Sequence, residues 1–372
     1  MFKAEKAAMA SALAITNSVV ERRSTIPILQ NVLFEKDSAS SDKLIARFTN
    51  LDIEATVRFS AEVDSGFEAF TVPAGTLSDI VNKLPDGAEI ALLPDRTNGL
   101  TGVTLKSGRS RFKLPVLPAD DFAMMKVGEL PYTLTLPATE LAAALADVGF
   151  AVSTEETRYY LNGIFTHPVE DGVCLVATDG HRLSKRIIRT EIDAAMPGVI
   201  IPRGAVKVVS KILPKEGPIR LQVSDSVIRV SAGDTTLTSK LIDGTFPDYQ
   251  RVIPTQHEML ATIDVQALST SIDRVATVSG GERGRAVLFS FGDQVLKLTV
   301  NNPDAGEAED EVTFEGQADL SIGFNARYVA DALAHLPGER FEIGLGSPGD
   351  PAVLRSVGGS RENLIVLMPM RV

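Results

Sequence analysis

The chain has 372 residues, of which 44% are hydrophobic, and its formal net charge at pH 7 is -11. This length exceeds what one ordinary hydrophobic core supports, so two or three domains are expected. The acidic balance excludes a protein that is basic over its whole surface, although it is compatible with a local basic face. A single cysteine, Cys174, excludes an internal disulfide.

Neither a membrane span nor a secretory signal is visible. No apolar run reaches the roughly 20 residues that a membrane-spanning helix requires. The first residues, Met1 to Lys6, lack the apolar stretch and the cleavage site of a secretory signal. We therefore expect a cytoplasmic protein with no membrane partner.

The chain repeats one pattern three times. Leu-Pro pairs beginning at Leu84, Leu213 and Leu336 recur at intervals of roughly a third of the chain, and an apolar strand follows each pair. Proline cannot donate a backbone N–H and restrains the residue before it, so each pair marks the end of a helix. These helical segments cover residues 71–84, 199–213 and 322–336, and the strands that follow cover residues 88–93, 219–223 and 341–345.

A second helix is predicted at the start of each repeat, over residues 6–20, 138–152 and 265–278. In the middle one, Leu141, Leu145 and Val148 share a helical face. The remaining segments alternate apolar and polar residues between turns, which is typical of antiparallel strands. The predicted fold class is α+β, with three repeated domains over residues 1–125, 126–253 and 254–372. We call these the first, second and third copies, each with two helices on an antiparallel sheet.

Three such copies in a row leave unpaired sheet edges at both chain ends. A head-to-tail homodimer would close six copies into a ring without an exposed edge. Opposite charges at the two ends favour this junction, although a solvated hairpin remains an alternative for the acidic run. The candidate joining residues are Arg109, Arg111, Phe112 and Leu114, which we expect on one strand of the first copy, and Asp304, Glu307, Glu309 and Asp310 in the third.

Basic residues recur every four positions in the second copy, at Arg203, Lys207, Lys211 and Lys215. On a helix this spacing places them along one slowly turning face. Either the face is simply solvated or it contacts nucleic acid. Tryptophan is absent from the sequence, and no recognition helix or zinc-finger spacing is present, so contacts would go to phosphates without sequence preference.

Motifs of catalysis are missing from the sequence. It contains no nucleophile elbow, phosphate-binding loop or zinc-protease motif, and its four histidines are scattered. We therefore expect no enzyme activity, no metal and no cofactor. A hydrolase or nuclease that uses Asp179 and His181 remains the competing hypothesis.

Two local sequences stand out. The Asp-Gly turn over residues 178–183 carries His181, Arg182 and Leu183, whereas the equivalent turns over residues 49–52 and 300–303 lack them. Turn formation alone therefore does not explain these side chains. The chain end, residues 364–372, is apolar and contains Met368 and Met370, so it forms either a final core strand or an adaptable partner-binding surface.

These features resemble the beta subunits of bacterial DNA polymerase III, the sliding clamps. The matching motifs appear in the family's order over essentially the whole chain. They are residues 25–29 (TIPIL), 158–163 (RYYLNG), 177–183 (ATDGHRL), 246–249 (FPDY) and 368–371 (MPMR).

The resemblance implies a head-to-tail homodimer that encircles double-stranded DNA, with helices lining the hole. It implies a non-catalytic processivity factor, which tethers the catalytic subunit of the replicative polymerase and other replication and repair proteins. A clamp-loader ATPase would place the ring on DNA. A scaffold that never encircles DNA is the third hypothesis.

The resemblance also assigns site residues. A partner-peptide pocket between the second and third copies would comprise Leu161, Thr178, Gly180, His181, Arg182, Leu183, Pro247, Arg251, Val252, Val366, Met368, Pro369, Met370 and Arg371. DNA contacts would include Arg23, Tyr159, Tyr160 and Arg203, joined by Lys207 and Lys211 from the basic face. The dimer interface would also include Thr277 and Val278.

The sequence departs from the family's pattern at three positions. Gly75 and Gly204 stand where relatives often carry a basic residue, so these two DNA contacts are not expected. Arg283 stands where an aromatic residue sometimes contributes to the rim of the pocket. The preference for partner peptides is therefore expected to differ.

Overall fold

A computed structural model describes residues 1–21, 23–95, 101–278, 286–360 and 362–371. The chain divides into two compact units. The first unit comprises Met1–Thr139 and Gly204–Leu241, and the second comprises Glu140–Arg203 and Ile242–Val372. The second copy contributes to both units, so the units do not coincide with the three copies, whose boundaries stay a prediction.

Helices are few and short in the described residues. The α-helices are α1 (Lys6–Leu13), α2 (Thr16–Val19), α3 (Ala74–Lys83), α4 (Ala138–Gly149), α5 (Arg203–Ile212), α6 (Val265–Ala276) and α7 (Ala326–Ala334). Short 3-10 helices cover Pro27–Gln30, Ala119–Asp121, Glu156–Leu161 and Tyr249–Val252.

Strands make up most of the regular structure. They are β1 (Phe2–Glu5), β2 (Asn31–Lys36), β3 (Lys43–Thr49), β4 (Ile53–Ser60), β5 (Glu62–Val63), β6 (Phe70–Pro73), β7 (Glu89–Asp95), β8 (Gly102–Ser107), β9 (Ser110–Leu114), β10 (Tyr132–Pro137), β11 (Gly163–Val169), β12 (Gly172–Thr178), β13 (Arg182–Arg189), β14 (Val199–Pro202), β15 (Pro218–Val223), β16 (Val227–Ala232), β17 (Thr235–Lys240), β18 (Met259–Asp264), β19 (Ala286–Gly292), β20 (Val295–Asn302), β21 (Gly306–Thr313), β22 (Glu315–Gln317), β23 (Leu320–Asn325), β24 (Arg340–Leu345), β25 (Ala352–Ser356) and β26 (Leu364–Leu367).

The structure corrects the predicted helices in two respects. The helix expected over residues 6–20 is interrupted after α1, where the N–H of Ala14 donates to Ser11 O and tightens the last turn. The segments that end in Leu-Pro begin as strands, because β6, β14 and β23 precede α3, α5 and α7. Each of these three helices ends before its Leu-Pro pair, as the proline requires.

The first unit contains two antiparallel sheets. Their strand orders are β5-β1-β7-β8-β9 and β10-β15-β16-β17-β4-β3-β2-β6. In the larger sheet β17 of the second copy pairs with β4 of the first copy, with Ser239 opposite Ile53. The helices α1 and α3 pack against each other. Beneath them Phe2 is fully buried, with its ring centroid 5.2 Å from that of Phe34 and 6.1 Å from that of Phe70.

The second unit repeats this plan. Its sheets have the orders β14-β11-β12-β13-β26-β25-β24-β18-β22 and β21-β20-β19-β23. In the larger sheet β13 of the second copy pairs with β26 of the third copy, with Arg182 opposite Leu367. The helices α6 and α7 pack together and each begins with a capped turn, because Asp264 and Asn325 accept hydrogen bonds from the backbone.

No described helix is both long and apolar enough to cross a membrane.

Candidate functional site

A cleft of about 260 Å³ opens in the second unit where the second and third copies meet. It is lined by Arg158, Tyr160, Leu161, Thr178, Gly180, Arg182, Leu183, Pro247, Asp248, Tyr249, Val252, Val366 and Met368. The structure thus brings together most of the residues assigned to the partner-peptide pocket. The assigned residues that do not line it are His181, Arg251, Pro369, Met370 and Arg371.

The turn from Thr178 to Arg182 forms one wall of the cleft. Asp179 Oδ1 accepts from the N–H groups of His181 at 2.9 Å and Arg182 at 3.0 Å. Thr178 Oγ1 accepts from the N–H of Gly180 at 3.1 Å and donates to the carbonyl oxygen of Arg182 at 2.7 Å. These short side chains satisfy the backbone of the turn and hold it in one conformation.

Position 180 requires glycine. Its φ is +89°, a backbone conformation that L side chains rarely adopt. A Cβ atom there would also lie 2.7 Å from Arg158 Nη1. That guanidinium is fixed by an ion pair with Glu155, with Nε 2.8 Å from Oε2. Arg158, which the sequence did not reveal as a pocket residue, would have to move aside, whereas the positive φ is the stricter restriction on residue 180.

Arg182 ties the second copy to the third. Its Nη1 lies 2.6 Å from Asp331 Oδ2 on α7, and its Nε lies 3.1 Å from Asp179 Oδ2. The guanidinium carbon stands 5.2 Å from the ring centroid of Phe150 and 4.6 Å from that of Tyr328. Only 10% of the Arg182 side chain is exposed, so its main role is to hold the second and third copies together behind the cleft wall.

Tyr249 lines the floor of the cleft, and the side chains that pack behind it are uncharged. The hydroxyl of Tyr249 lies 3.0 Å from His167 Nε2 and 3.7 Å from Cys174 Sγ. Burial lowers the pKa of His167 and raises the pKa of Tyr249 and of Cys174, because burial disfavours the charged form of each group. The Phe165 ring stacks on His167 and on Phe246, with centroids 4.9 Å and 4.8 Å apart. This floor suits apolar side chains rather than charged groups.

The remaining assigned residues lie beside the cleft. The His181 ring stacks on the Tyr328 ring with centroids 6.0 Å apart. The N–H of Met370 donates to Gly323 O at 2.9 Å, which fixes the chain end against β23. Met368 and Met370 are each 36% exposed. Pro369 is half-buried, and Arg251 and Arg371 are exposed.

The hydrolase hypothesis gains no support from this geometry. The carboxylate of Asp179 is occupied by two backbone N–H groups and by Arg182. His181 turns its ring toward Tyr328 rather than toward a nucleophile. The pair forms a turn and a stacking contact, not an acid–base pair. Among the described residues there is also no cluster of three or more potential metal ligands.

The residues expected to contact DNA occupy different environments. Arg203, Lys207 and Lys211 are exposed on α5, and Lys211 Nζ lies 2.6 Å from Ser18 Oγ. Lys215 lies beyond the end of α5 at Ile212, so the prediction that the basic face extends along the helix to Lys215 was wrong. The remaining three are Arg23, which is exposed, Tyr159, which is 53% exposed, and Tyr160, which lines the cleft.

The residues expected at the dimer junction lie on or beside strands at sheet edges. Arg111, Phe112 and Leu114 belong to β9, which among the described strands has only β8 as a neighbour. Arg109 lies in the preceding turn, which corrects its placement on the strand. Leu114 is buried, whereas Phe112 is 36% exposed.

The acidic run lies largely in β21, which is an edge strand of the smaller sheet of the second unit. Glu307 and Glu309 are exposed, whereas Asp310 turns toward α6, where its Oδ2 lies 2.6 Å from Arg274 Nε. Alternation along the strand thus divides the run between its two faces. Asp304 is exposed before the strand, and Thr277 and Val278 directly follow α6.

The positions that depart from the family's pattern are structurally unremarkable. Gly75 lies in α3, where a Cβ atom would meet nothing within 4 Å. Gly204 lies in α5, where a Cβ atom would stand 3.5 Å from Ile53 Cδ1. Arg283 lies outside the described residues.

Comparison with known proteins gives the family. Models of the DNA polymerase III beta subunit match the chain with their N-terminal domain over residues 1–126, central domain over residues 135–248 and C-terminal domain over residues 250–371. The chain belongs to the DNA polymerase III beta subunit family. The beta sliding clamp of Caulobacter vibrioides strain NA1000 / CB15N is 40% identical over 376 residues, which are 99% of each chain.

Solved structures of beta subunits are similar over the full chain. The sliding clamp of Bartonella birtlesii, bound to griselimycin, has a TM-score of 0.93 and 40% identity, with 100% of each chain covered. The Caulobacter crescentus clamp, solved with polyethylene glycol in a putative beta-motif tethering region, has a TM-score of 0.92 and 39% identity. That match covers 100% of this chain and 98% of the other.

Membership in the beta subunit family confirms the predicted fold class of three clamp domains with few helices on antiparallel sheets. The function of the chain is that of a DNA sliding clamp for polymerase processivity, so it works with DNA and a polymerase. Membership in this family also confirms the prediction of a non-catalytic protein.

Four cleft residues were not assigned to the pocket from the sequence: Tyr160 was expected to contact DNA, and three were missed, Arg158, Asp248 and Tyr249. All three lie within motifs that carried the resemblance, at residues 158–163 and 246–249. The turn glycine offered an indirect signal for Arg158, because a residue without a Cβ atom leaves room for a neighbouring side chain.

Proposed function

We propose that this beta subunit closes as a head-to-tail homodimer around duplex DNA and holds partner proteins through peptides bound in the cleft of the second unit. The proposed partners are the catalytic subunit of the replicative polymerase, a clamp-loader ATPase and other clamp-motif proteins of replication and repair. The proposed compartment is the cytoplasm. The cleft at the junction of the second and third copies carries the peptide part of this proposal.

The chemistry of the cleft fits a short peptide with apolar side chains. Leu161, Leu183 and Val366 are buried in its wall, while Met368 stays partly exposed at its mouth. Methionine adapts its shape to different ligands, which suits a site shared by several partners. Peptide backbone groups would need polar partners at the rim, where the half-buried Arg158 lies.

The two edge strands support ring closure. β9 presents the exposed Arg111 and Phe112, and β21 presents the exposed Glu307 and Glu309. Pairing β9 of one protomer with β21 of its partner would satisfy both edges and set opposite charges together. Glu309 already has an internal partner, because its Oε1 lies 2.8 Å from Lys297 Nζ, so the junction would extend an existing ion pair.

The exposed cations of α5 support contacts to DNA phosphates. Lys207 and Lys211 lie on the helix face opposite the buried Ala205 and Val209. Phosphate contacts without base readout hold the protein on duplex DNA while permitting movement along it. A polymerase tethered to such a ring meets its template at high effective concentration.

Retention on DNA tests the topological part of the proposal. The clamp is loaded onto nicked circular DNA by its loader, and part of the sample is linearised with a nuclease that cuts once. A closed ring is expected to stay on circles and to slide off linear molecules. Equal retention on both forms would exclude encirclement.

The Lys207→Glu, Lys211→Glu double variant tests the scaffold alternative. Charge reversal is expected to lower loading and processive synthesis and to reduce their salt dependence. Full loading and processivity in this variant would favour a scaffold that never encircles DNA.

Truncation tests the peptide cleft. Removal of residues 368–372 is expected to abolish binding of a polymerase-derived peptide, while mass measurement still finds a dimer. Peptide affinity at the full-length level would rule out the cleft as the docking site.

A further inference from the structure

A second cleft lies in the first unit, where the first and second copies meet, and its volume is about 630 Å³. The apolar side chains of Leu51, Met124, Met125 and Leu241 line it, together with the ammonium-bearing chains of Lys126 and Lys240. None of these residues belongs to the cleft, edges or basic face described above. Its position in the repeat is the same as that of the cleft in the second unit.

The turns beside the two clefts have the same hydrogen bonds. In the first copy the N–H of Leu51 donates to Thr49 Oγ1 at 3.1 Å, as that of Gly180 donates to Thr178 Oγ1 at 3.1 Å. Asn50 Oδ1 accepts from two backbone N–H groups at 3.1 Å and 2.8 Å, in the role that Asp179 has in the second copy.

The strands that reach the clefts also correspond. The N–H of Lys240 donates to Asp52 O at 2.8 Å just where β17 ends beside β4. The N–H of Met368 donates to His181 O at 2.9 Å just past the end of β26 beside β13. Both clefts are thus built on one and the same junction, used twice in the chain.

Leu51 differs from its equivalent in the second copy, because it carries a side chain at a positive φ. It has a φ of 76° and is 39% exposed, whereas the equivalent residue is Gly180. A leucine rarely adopts the left-handed conformation, because its Cβ atom crowds the backbone. The strain holds an apolar side chain at the wall of an open cleft, where it contributes little to a core. Strain of this kind concentrates at functional sites.

The lining indicates the chemistry of the occupant. Met124 is 58% exposed, and methionines with a neighbouring leucine form an adaptable apolar surface. Lys126 and Lys240 both line the cleft, and among the described residues the unpaired positive charge of the two is that of Lys126, although the whole chain carries a net charge of -11. Lys240 Nζ lies 3.0 Å from Asp52 Oδ1, whereas Lys126 is exposed and has no ion pair among the described residues. Residues 122–131 belong to no helix or strand, so an extended segment has room to lie along them.

We propose that the cleft of the first unit is a second docking site, which takes an extended peptide of a partner protein with apolar side chains and at least one carboxylate. This inference rests on the proposed function, because it assumes that partners of the clamp are held by peptides. A partner with two such peptides would bind both clefts and gain affinity from the link between them.

Methyl NMR of the full-length protein, labelled with [methyl-13C]methionine, tests the proposal. The probes are overlapping peptides that tile the polymerase catalytic subunit and the clamp-loader subunits of the same cell. At least one acidic-apolar peptide is expected to shift the Met124 and Met125 signals saturably, without shifting those of Met368 and Met370. Met124→Glu and Lys126→Glu are each expected to weaken this binding at least about tenfold, because they place an unpaired carboxylate beside the ligand.

The outcomes separate this inference from the proposed function. If peptides shift Met368 and Met370 but none shifts Met124 or Met125, the second docking site is refuted and the cleft of the second unit stands. If no peptide shifts either pair, peptide tethering itself is refuted. If duplex DNA rather than any peptide shifts Met124, the cleft is a phosphate contact and the inference is wrong. Leu51→Gly is expected to weaken the binding of this peptide as well, because it keeps the conformation of the turn and removes an apolar side chain from the cleft wall.

Discussion

Arg182 Nη1 lies 2.6 Å from Asp331 Oδ2, so a side chain of the second copy is ion-paired to a helix of the third. Arg182→Met removes one member of this partly buried pair and leaves the Asp331 carboxylate with only the more distant Arg327, whose Nε lies 3.9 Å from Oδ2. We expect the free energy of unfolding to fall by about 3 kcal/mol. Thermal unfolding of Arg182→Met and of the control Arg182→Lys measures the effect.

The lysine variant keeps the charge but loses the planar group that stacks between Phe150 and Tyr328. It should therefore recover only part of the loss. Full recovery of stability in Arg182→Lys would show that this contact depends on charge alone, rather than on stacking and hydrogen-bond geometry.

Gly180→Ala introduces a Cβ atom at a φ of +89° and 2.7 Å from Arg158 Nη1. We expect a loss of about 1–3 kcal/mol in stability because of the positive φ, and weaker peptide binding because Arg158 must move from its place in the cleft lining. Gly75→Ala is the control, since a Cβ atom in α3 meets nothing within 4 Å. It should raise stability by about 0.5–1 kcal/mol. Denaturant unfolding compares the two, and a harmless Gly180→Ala would contradict this account.

Stability should depend on pH through His167. Burial lowers the pKa of this group below its ordinary value of 6.5 in the folded protein, so the unfolded chain binds a proton first as the pH falls. The contribution of His167 is therefore present above about pH 6.5 and is lost below it. Denaturant unfolding between neutral and mildly acidic pH measures this loss.

His167→Gln is the matched variant for the pH experiment. Burial also lowers the pKa of His257, so some acid sensitivity should remain in the variant. The difference between the two pH profiles isolates His167. Superimposable profiles would show that His167 does not cause the loss of stability at acidic pH.

A charged substitution on the edge strand β9 is expected to break the proposed dimer. Phe112→Asp replaces an exposed apolar side chain by a charge at the proposed junction. We expect light scattering to find a one-chain mass, and clamp loading on circular DNA to be lost. Phe112→Leu, which keeps an apolar side chain, should remain dimeric. A dimeric Phe112→Asp would place the interface elsewhere.

The positive φ of Leu51 predicts that glycine is well tolerated at this position. Leu51→Gly removes about 1–2 kcal/mol of left-handed strain, so the thermal midpoint should hold or rise despite the lost side chain. Leu51→Val should lower it, because a β-branched residue fits a positive φ worse than leucine does. A Leu51→Gly variant less stable than Leu51→Val would indicate that the side chain packs as part of the core.

The sequence was most informative where backbone chemistry is local. The Leu-Pro pairs marked three helix ends, and the threefold pattern exposed the turns at Asn50 and Asp179. Helix beginnings were predicted less well, because an apolar run such as residues 199–202 reads equally as strand or helix until its sheet partners are known. Lys215 shows the same limit, since spacing alone cannot tell where α5 ends.

The clefts could be predicted only in part. Motifs named the side chains of the second-unit cleft, but not its neutral floor, which depends on residues far apart in sequence that meet at Tyr249. The cleft of the first unit carried no motif. Its equivalence to the cleft of the second unit lies in the hydrogen bonds of Leu51 and Lys240, which match those of Gly180 and Met368.

The shared strand pairings β17–β4 and β13–β26 have a mechanical consequence. Pulling two neighbouring copies apart would shear a whole row of backbone hydrogen bonds together, which is far harder than parting a single contact. In the proposed ring, opening to admit DNA should therefore occur where one chain meets its partner. Amide hydrogen exchange should then be slow along β17 and β26 and faster along β9.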